Sequence, residues 1–365
     1  DYRANPQASL AELIRRLGLK FDDTRPDAAA AAESLPTRID AALVSEAAFE
    51  KAAAAKSPAT PYTEFRGQRM LRELERVETF DETKIRWFLE HLQHFDHSER
   101  ADLPGVVPLV ARGLSLKNPV TFGRETVHRN LASSQLRDLL ELHPDLKSNP
   151  DFVTDYLAKL RPGAETDFQR DPEAHAAHLL LCRDFALTLP PALNSLKAHI
   201  LFHHLRLQQE LGRHPKDDFL AFLALPRLRH EILRHKQADN AEYIRLDSDL
   251  GAATGCPPVA DDRALIESYL RHFLGQADTA ADFAPFIEER KLRRLHARAR
   301  LLAGADPARW GPMLDPAEYK ALQDEARISF APGAPRLLDA EATVALALDL
   351  KNTPDLLIRI YELDL

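Results

Sequence analysis

Apolar positions recur along most of this chain at intervals of three and four, which predicts a succession of amphipathic helices. The first covers Leu10, Leu13, Ile14 and Leu17, with Ser9 and Glu12 as a capping box and Gly18 as its stop. Alanine runs at 28–32 and 52–55, divided by Pro36, favour helix while burying little area, and Ser57-Pro58-Ala59-Thr60-Pro61 reads as a linker. Asp81 is placed to cap a helix whose buried stripe is Ile85, Phe88, Leu89, Leu92 and Phe95. Further helices are predicted over 106–114, 135–143, 152–160, 172–187, 192–211, 218–225, 227–236, 261–274, 286–302 and 316–326. The joints at Pro144, Pro150 and Arg161-Pro162-Gly163 are short, which suits antiparallel neighbours.

The period changes near the C-terminus. Val344, Leu346, Leu348 and Leu350 alternate with Thr343, Ala345, Ala347 and Asp349, the two-residue rhythm of a strand. Residues 351–355, with Pro354, make a turn, and Leu356, Ile358 and Ile360 resume the alternation. Helix is therefore expected over 9–327, and strand only after about residue 340. Two strands need partners, so the sheet is expected to continue beyond Leu365 or onto another chain. Phe330-Ala331-Pro332-Gly333, the strand running to Lys351-Asn352, and Leu357-Ile358-Arg359-Ile360-Tyr361-Glu362 resemble the opening strands of a macroglobulin-type β-sandwich. That resemblance covers about a tenth of the chain. It implies a large multidomain protein with a helical region ahead of the sandwich, and it brings no thioester or bait feature with it.

The fold class expected is mostly α, an irregular antiparallel helical array or bundle with a short β segment at the C-terminus. The divisions expected are Ala-rich helices and linker over 1–60, a main helical domain over 61–250, a second helical subdomain over 258–328, and a sandwich start or edge hairpin over 333–365. The boundary at 250–258 rests on the loose Gly/Ala run that ends in Cys256-Pro257-Pro258. No period of solenoid length recurs: the likeness of Phe88-Leu89-Glu90-His91 to Tyr269-Leu270-Arg271-His272 stands alone.

Composition agrees with helices. Only 13 glycines occur against 25 prolines, so joints rely on proline and β-rich or glycine-looped folds are disfavoured. A net charge of −8 argues against general attraction to nucleic acid or anionic lipid. No apolar run is long enough to span a membrane, since Arg183 and Asp184 break the longest. The compartment is left open: the chain begins at Asp1 without an apolar signal core, as a processed or partial chain would. Cys182 and Cys256 make no disulfide framework and are read as buried thiols, with one bridge between them as the alternative.

The best candidate chemistry is His199 and His203, four apart on one helix, with His204 adjacent. A metal site there lacks a third ligand, and rings covering an apolar stripe explain the same residues. His91, His94 and His97 spread too far around a helix for one ion. His230-Glu231-Ile232-Leu233-Arg234-His235 has its second histidine at i+5, where a zinc-peptidase helix needs i+4. Asp247-Ser248-Asp249-Leu250-Gly251 fails as a calcium loop, with Ala252 sixth and Pro258 twelfth. No nucleophile elbow, dinucleotide fingerprint or phosphate loop occurs.

Basic clusters lie at 227–236 (Arg227, Arg229, Arg234, Lys236) and at 290–300 (Arg290, Lys291, Arg293, Arg294, Arg298, Arg300). Aromatics are not interleaved with them and Glu231, Glu288 and Glu289 dilute their field, so nucleic-acid binding ranks low. The reading is a non-enzymatic helical scaffold or protein-interaction module, without cofactor or metal. Its partner is another protein or further domains of the same polypeptide. The alternative is a metal-dependent enzyme using His199, His203 and His204.

Overall fold

The computed structural model describes residues 73–74, 76–92, 105–163, 165–331, 345, 347–359 and 361. Among these residues the α-helices are α1 Glu82–His91, α2 Val106–Leu114, α3 Thr126–Arg129, α4 Ser133–Leu142, α5 Pro150–Lys159 and α6 Pro172–Ala186. They continue with α7 Asn194–Glu210, α8 Lys216–Ala224, α9 Gly251–Thr254, α10 Arg263–Gln276, α11 Glu289–Leu302, α12 Pro307–Trp310 and α13 Pro316–Asp324. Two short strands follow, β1 Arg327–Phe330 and β2 Leu348–Lys351. The mostly helical class and its small C-terminal sheet are thus present as expected. The N-terminal helix, the alanine runs and the linker at 57–61 lie outside the described residues, as do Phe95 and Ile360.

Local chemistry starts these helices where the sequence places the signals. The Asp81 carboxylate accepts the Lys84 backbone N–H at 2.7 Å, and Ile85, Phe88, Leu89 and Leu92 are all buried as the stripe requires. Asn149 and Asp171 cap α5 and α6, each followed by proline at the first helical position.

The chain divides into two compact units, 1–130 and 131–365. In the first, α1 packs on α2 so closely that a Cβ on Gly113 would sit 2.6 Å from a Leu89 methyl. Arg112 reaches from α2 to the carbonyls of Val77 and Phe80, fastening the short turn that precedes α1.

In the second unit the strongest pairings are α6 with α7 and α10 with α11, and α5 packs on α9. A large core gathers Leu201, Leu205, Phe219, Phe222, Ile266, Tyr269 and Ile287, drawing on residues before and after 250–258. Tyr269 stacks on Phe219 at 4.8 Å and donates its hydroxyl to the Leu205 carbonyl at 2.7 Å, so this phenol is satisfied although fully enclosed. A second cluster of Trp310, Leu314, Leu322 and Ala297 holds α12 and α13 on α11.

Two expectations need correction. The first is a helix over 227–236, which is instead an irregular segment. The His230 Nδ1 accepts the backbone N–H groups of Ile232 and Leu233, both at 3.1 Å, and the Arg234 N–H goes to the Phe286 carbonyl at 2.8 Å. A side-chain acceptor and one distant in sequence thereby take the donors that a helix would have used. The second is that strand begins only after about residue 340. β1 lies at 327–330 and pairs antiparallel with β2, Arg327 opposite Lys351 and Ile328 opposite Leu350. Residues 356–359 belong to no strand, so β2 takes its partner from upstream rather than from the alternation at 356–360.

Candidate functional site

The sequence singles out three neighbouring histidines on α7, and the structure separates them. His199 and His203 lie edge to face at 4.7 Å, and both Nε2 atoms sit 3.0 Å from the Pro257 carbonyl oxygen. A carbonyl oxygen cannot donate, so both rings donate to it, and it fills the point where a metal would have to stand. Burial lowers both pKa values; beside His199, His203 is brought down to about 4. His204 faces another way, with its Nε2 3.1 Å from Asp218, a carboxylate shared with Arg183 at 3.2 Å. Among the described residues no three His, Cys, Asp or Glu side chains gather in a metal-holding group.

His91 ends α1, while His94 and His97 fall outside the described residues. Both cysteines are free and buried. Burial pushes the Cys182 thiol up to about 12, so it is protonated at neutral pH and a poor nucleophile.

Neither basic cluster forms a continuous cationic face. Arg227 is enclosed in the core, where Nε and Nη2 meet Asp262 Oδ2 at 3.1 and 2.9 Å and Nη1 meets the Phe222 and Leu225 carbonyls. His230 donates from Nε2 to the other Asp262 oxygen at 3.2 Å. Burial alone would raise the Asp262 carboxyl; the His230 hydrogen bond and the Arg227 charge outweigh it and hold it below the usual carboxylate range. On α11, Lys291, Arg293, Arg294 and Arg300 face Glu288, Glu289, Glu318 and Asp278. Arg290 and Arg298 have no ion pair among the described residues.

The feature that sequence reading missed is a cleft of about 910 Å³ bounded by α10, the end of α11 and the β1–β2 ribbon. Its polar wall holds Arg271, His214, His272, Arg327 and Asp349. The imidazoles of His214 and His272 stack at 3.7 Å, nearly parallel at 6°. Burial, together with the neighbouring His272, lowers His214 to about 4, so this pair is uncharged at neutral pH. Burial also lowers the Arg271 pKa, and the charges of Arg327 and Arg298 add to it. No spacing could have signalled this site, because its residues are scattered between 209 and 351.

The family model of the actin-binding protein F N-terminal domain matches residues 43–326, more than three quarters of the chain. The chain belongs to that family. Its matched span takes in every described α-helix and stops one residue short of β1. No curated protein matches the chain, and no solved structure does. The family description fits a protein-interaction or scaffold module built of helices. No described helix is long and apolar enough to cross a membrane.

Proposed function

We propose that this chain is a non-catalytic helical module that binds actin. The observation that carries this reading is the match to an actin-binding family over 43–326. The geometry is compatible with it, because three sets of enclosed ionisable groups are committed to structural contacts. Arg227, His230 and Asp262 satisfy one another, His204 and Arg183 share Asp218, and His199 with His203 close on Pro257. None of these sets leaves a nucleophile beside a free base. Apolar positions suited to docking are also exposed: Leu180 on α6 and Leu187 at its C-terminal cap are 40% and 43% exposed.

Co-sedimentation with filamentous actin tests the proposal, alongside native-gel mixing with monomeric actin. The purified chain should enter the filament pellet saturably or shift with the monomer. A chain that remains in the supernatant at saturating filament, and forms no complex with monomer, overturns it. The same reading treats the C-terminal ribbon as the start of a macroglobulin-type sandwich. In its support, Ile328, Phe330 and Leu350 are apolar and exposed on the ribbon's outer face.

A further inference from the structure

The ribbon is oriented against the usual rule for a two-stranded sheet resting on a helical body. Arg327 and Ser329 are half-buried while Ile328 and Phe330 are exposed, so β1 turns its polar positions toward α10 and α11. The antiparallel register places Lys351 beside Arg327 and Asp349 beside Ser329 on that inner side. Two cations directly opposite each other repel. Lys351 is relieved by Glu325 at 3.5 Å and by the Leu322 carbonyl. The Arg327 side chain has no hydrogen bond or ion pair among the described residues.

Across the cleft the Arg271 side chain is in the same position, with neither hydrogen bond nor ion pair among the described residues. Arg298 lies within electrostatic reach of it. The two acids whose charges favour Arg271, Glu267 and Glu325, are shared with Arg263 at 2.9 Å and with Lys351 at 3.5 Å. Asp349 is the one acid among the described lining residues, against Arg271, Arg327 and Lys351. Charged groups held close with like neighbours favour an anionic occupant, which relieves their repulsion and pairs with a planar donor set suited to carboxylates. The rim contributes Phe330 and Leu348, a cross-strand pair on the ribbon's other face, and both edges of the ribbon are free of strand partners among the described residues. A volume of about 910 Å³ suits a short peptide and not a folded element.

We propose that this cleft binds an extended, carboxylate-bearing peptide segment of a partner protein, its acidic side chains meeting Arg271 and Arg327 and its backbone running along the ribbon. An extended strand presents side chains alternately, so a segment that alternates acidic with apolar residues would put carboxylates on the arginines and apolar groups on Phe330 and Leu348. The proposal is independent of the actin reading, and its test contains no actin.

Fluorescence anisotropy of labelled peptides with the whole chain provides that test, using alternating Glu-Val, Gln-Val and Lys-Val sequences of equal length. The Glu-Val peptide should bind, the Lys-Val peptide should not, and raised salt should weaken the complex. Arg271→Glu with Arg327→Glu should reduce Glu-Val affinity at least about tenfold, the scale of losing close charge pairs. Arg290→Glu, which changes one charge outside the cleft lining, should alter it by less than about twofold. If the reversal variant does not fold, Arg271→Gln with Arg327→Gln serves in its place, with a loss of several-fold expected. Equal binding of Glu-Val and Gln-Val, unchanged affinity in the folded arginine variants, or no binding at low salt overturns the proposal.

Discussion

Removing one member of the Arg227–Asp262 pair should cost this protein far more than removing both. The two side chains are almost wholly enclosed, 6% and 5% exposed, and three of the guanidinium's contacts are Asp262 Oδ2 and the Phe222 and Leu225 carbonyls. Asp262→Ala leaves a guanidinium without its counter-charge in the core, and breaking a buried pair in this way costs about 3–5 kcal/mol. Arg227→Met strands the carboxylate against His230 alone and takes a donor from the Phe222 and Leu225 carbonyls at the end of α8, a loss of similar size. With both changed, no uncompensated charge is left inside, so the double variant should fall short of the summed single losses by at least about 2 kcal/mol. The chain contains two tryptophans, Trp87 in the first unit and Trp310 in the second. In a Trp87→Phe background, urea unfolding followed by the remaining indole therefore reports on the unit that holds the pair. Single variants each costing less than about 1 kcal/mol, or strictly additive losses, would refute the view that Asp262 is there to neutralise Arg227.

Acid should destabilise the chain well before its carboxylates protonate. His128, His203 and His214 have folded pKa values of about 4 against an ordinary 6.5, so the unfolded chain binds more protons between these limits. Stability is then highest above pH 6.5 and falls as pH drops toward 4, by about 2 kcal/mol at pH 5 for fully buried His128 and by less for the part-exposed pair; a melting temperature flat from pH 7 to 5 contradicts this. Gly105 has φ of +87°, and a Cβ there would lie 2.0 Å from the Leu74 carbonyl oxygen. Gly105→Ala should consequently cost about 1–3 kcal/mol in thermal unfolding of the first unit, and a neutral result would mean this junction is not held as described. His199→Gln with His203→Gln should leave metal content at zero by elemental analysis and lower stability modestly, because an amide can donate to Pro257 in place of each ring; loss of a stoichiometric metal would revive the metalloenzyme alternative.

Helices were legible because their signals are local. Asp81, Asn149-Pro150 and Asp171-Pro172 mark starts by side-chain capping, and the i, i+3, i+4 stripes name the buried faces. The segment 227–236 misled for a physical reason: its pattern is compatible with a helix, yet its backbone donors are claimed by His230 and by Phe286, fifty-two residues beyond Arg234. Long-range competition of that kind has no local trace. The same limit hid Asp218 and Asp262, which look like surface acids at helix starts and prove to be counter-charges for Arg183 and Arg227. His199 and His203 were correctly placed on one face, but only coordinates could show a carbonyl standing at their meeting point.

The alternation at 348–351 was legible as strand, that at 356–359 forms none, and the true partner at 327–330 was illegible; the difference carries a prediction. Alternation fixes which residues share a face, not which face turns inward. On β1 the polar set turns inward, leaving Ile328 52% and Phe330 67% exposed on the outer side. If that outer face is free in the isolated chain, Ile328→Asp with Phe330→Asp removes little buried area and should change unfolding free energy by no more than about 1 kcal/mol, since exposed single substitutions each fall within about 0.5. If instead a second copy or another segment covers it, two carboxylates would be driven into an apolar contact, and the loss should exceed about 2 kcal/mol. Thermal unfolding at two protein concentrations separates these cases, because a face covered by a second copy makes the midpoint rise with concentration. A small loss with no concentration dependence leaves the outer face free for a partner that this chain does not itself supply. A large loss means the face is already filled, and the macroglobulin-type sandwich then has no open side on which to build.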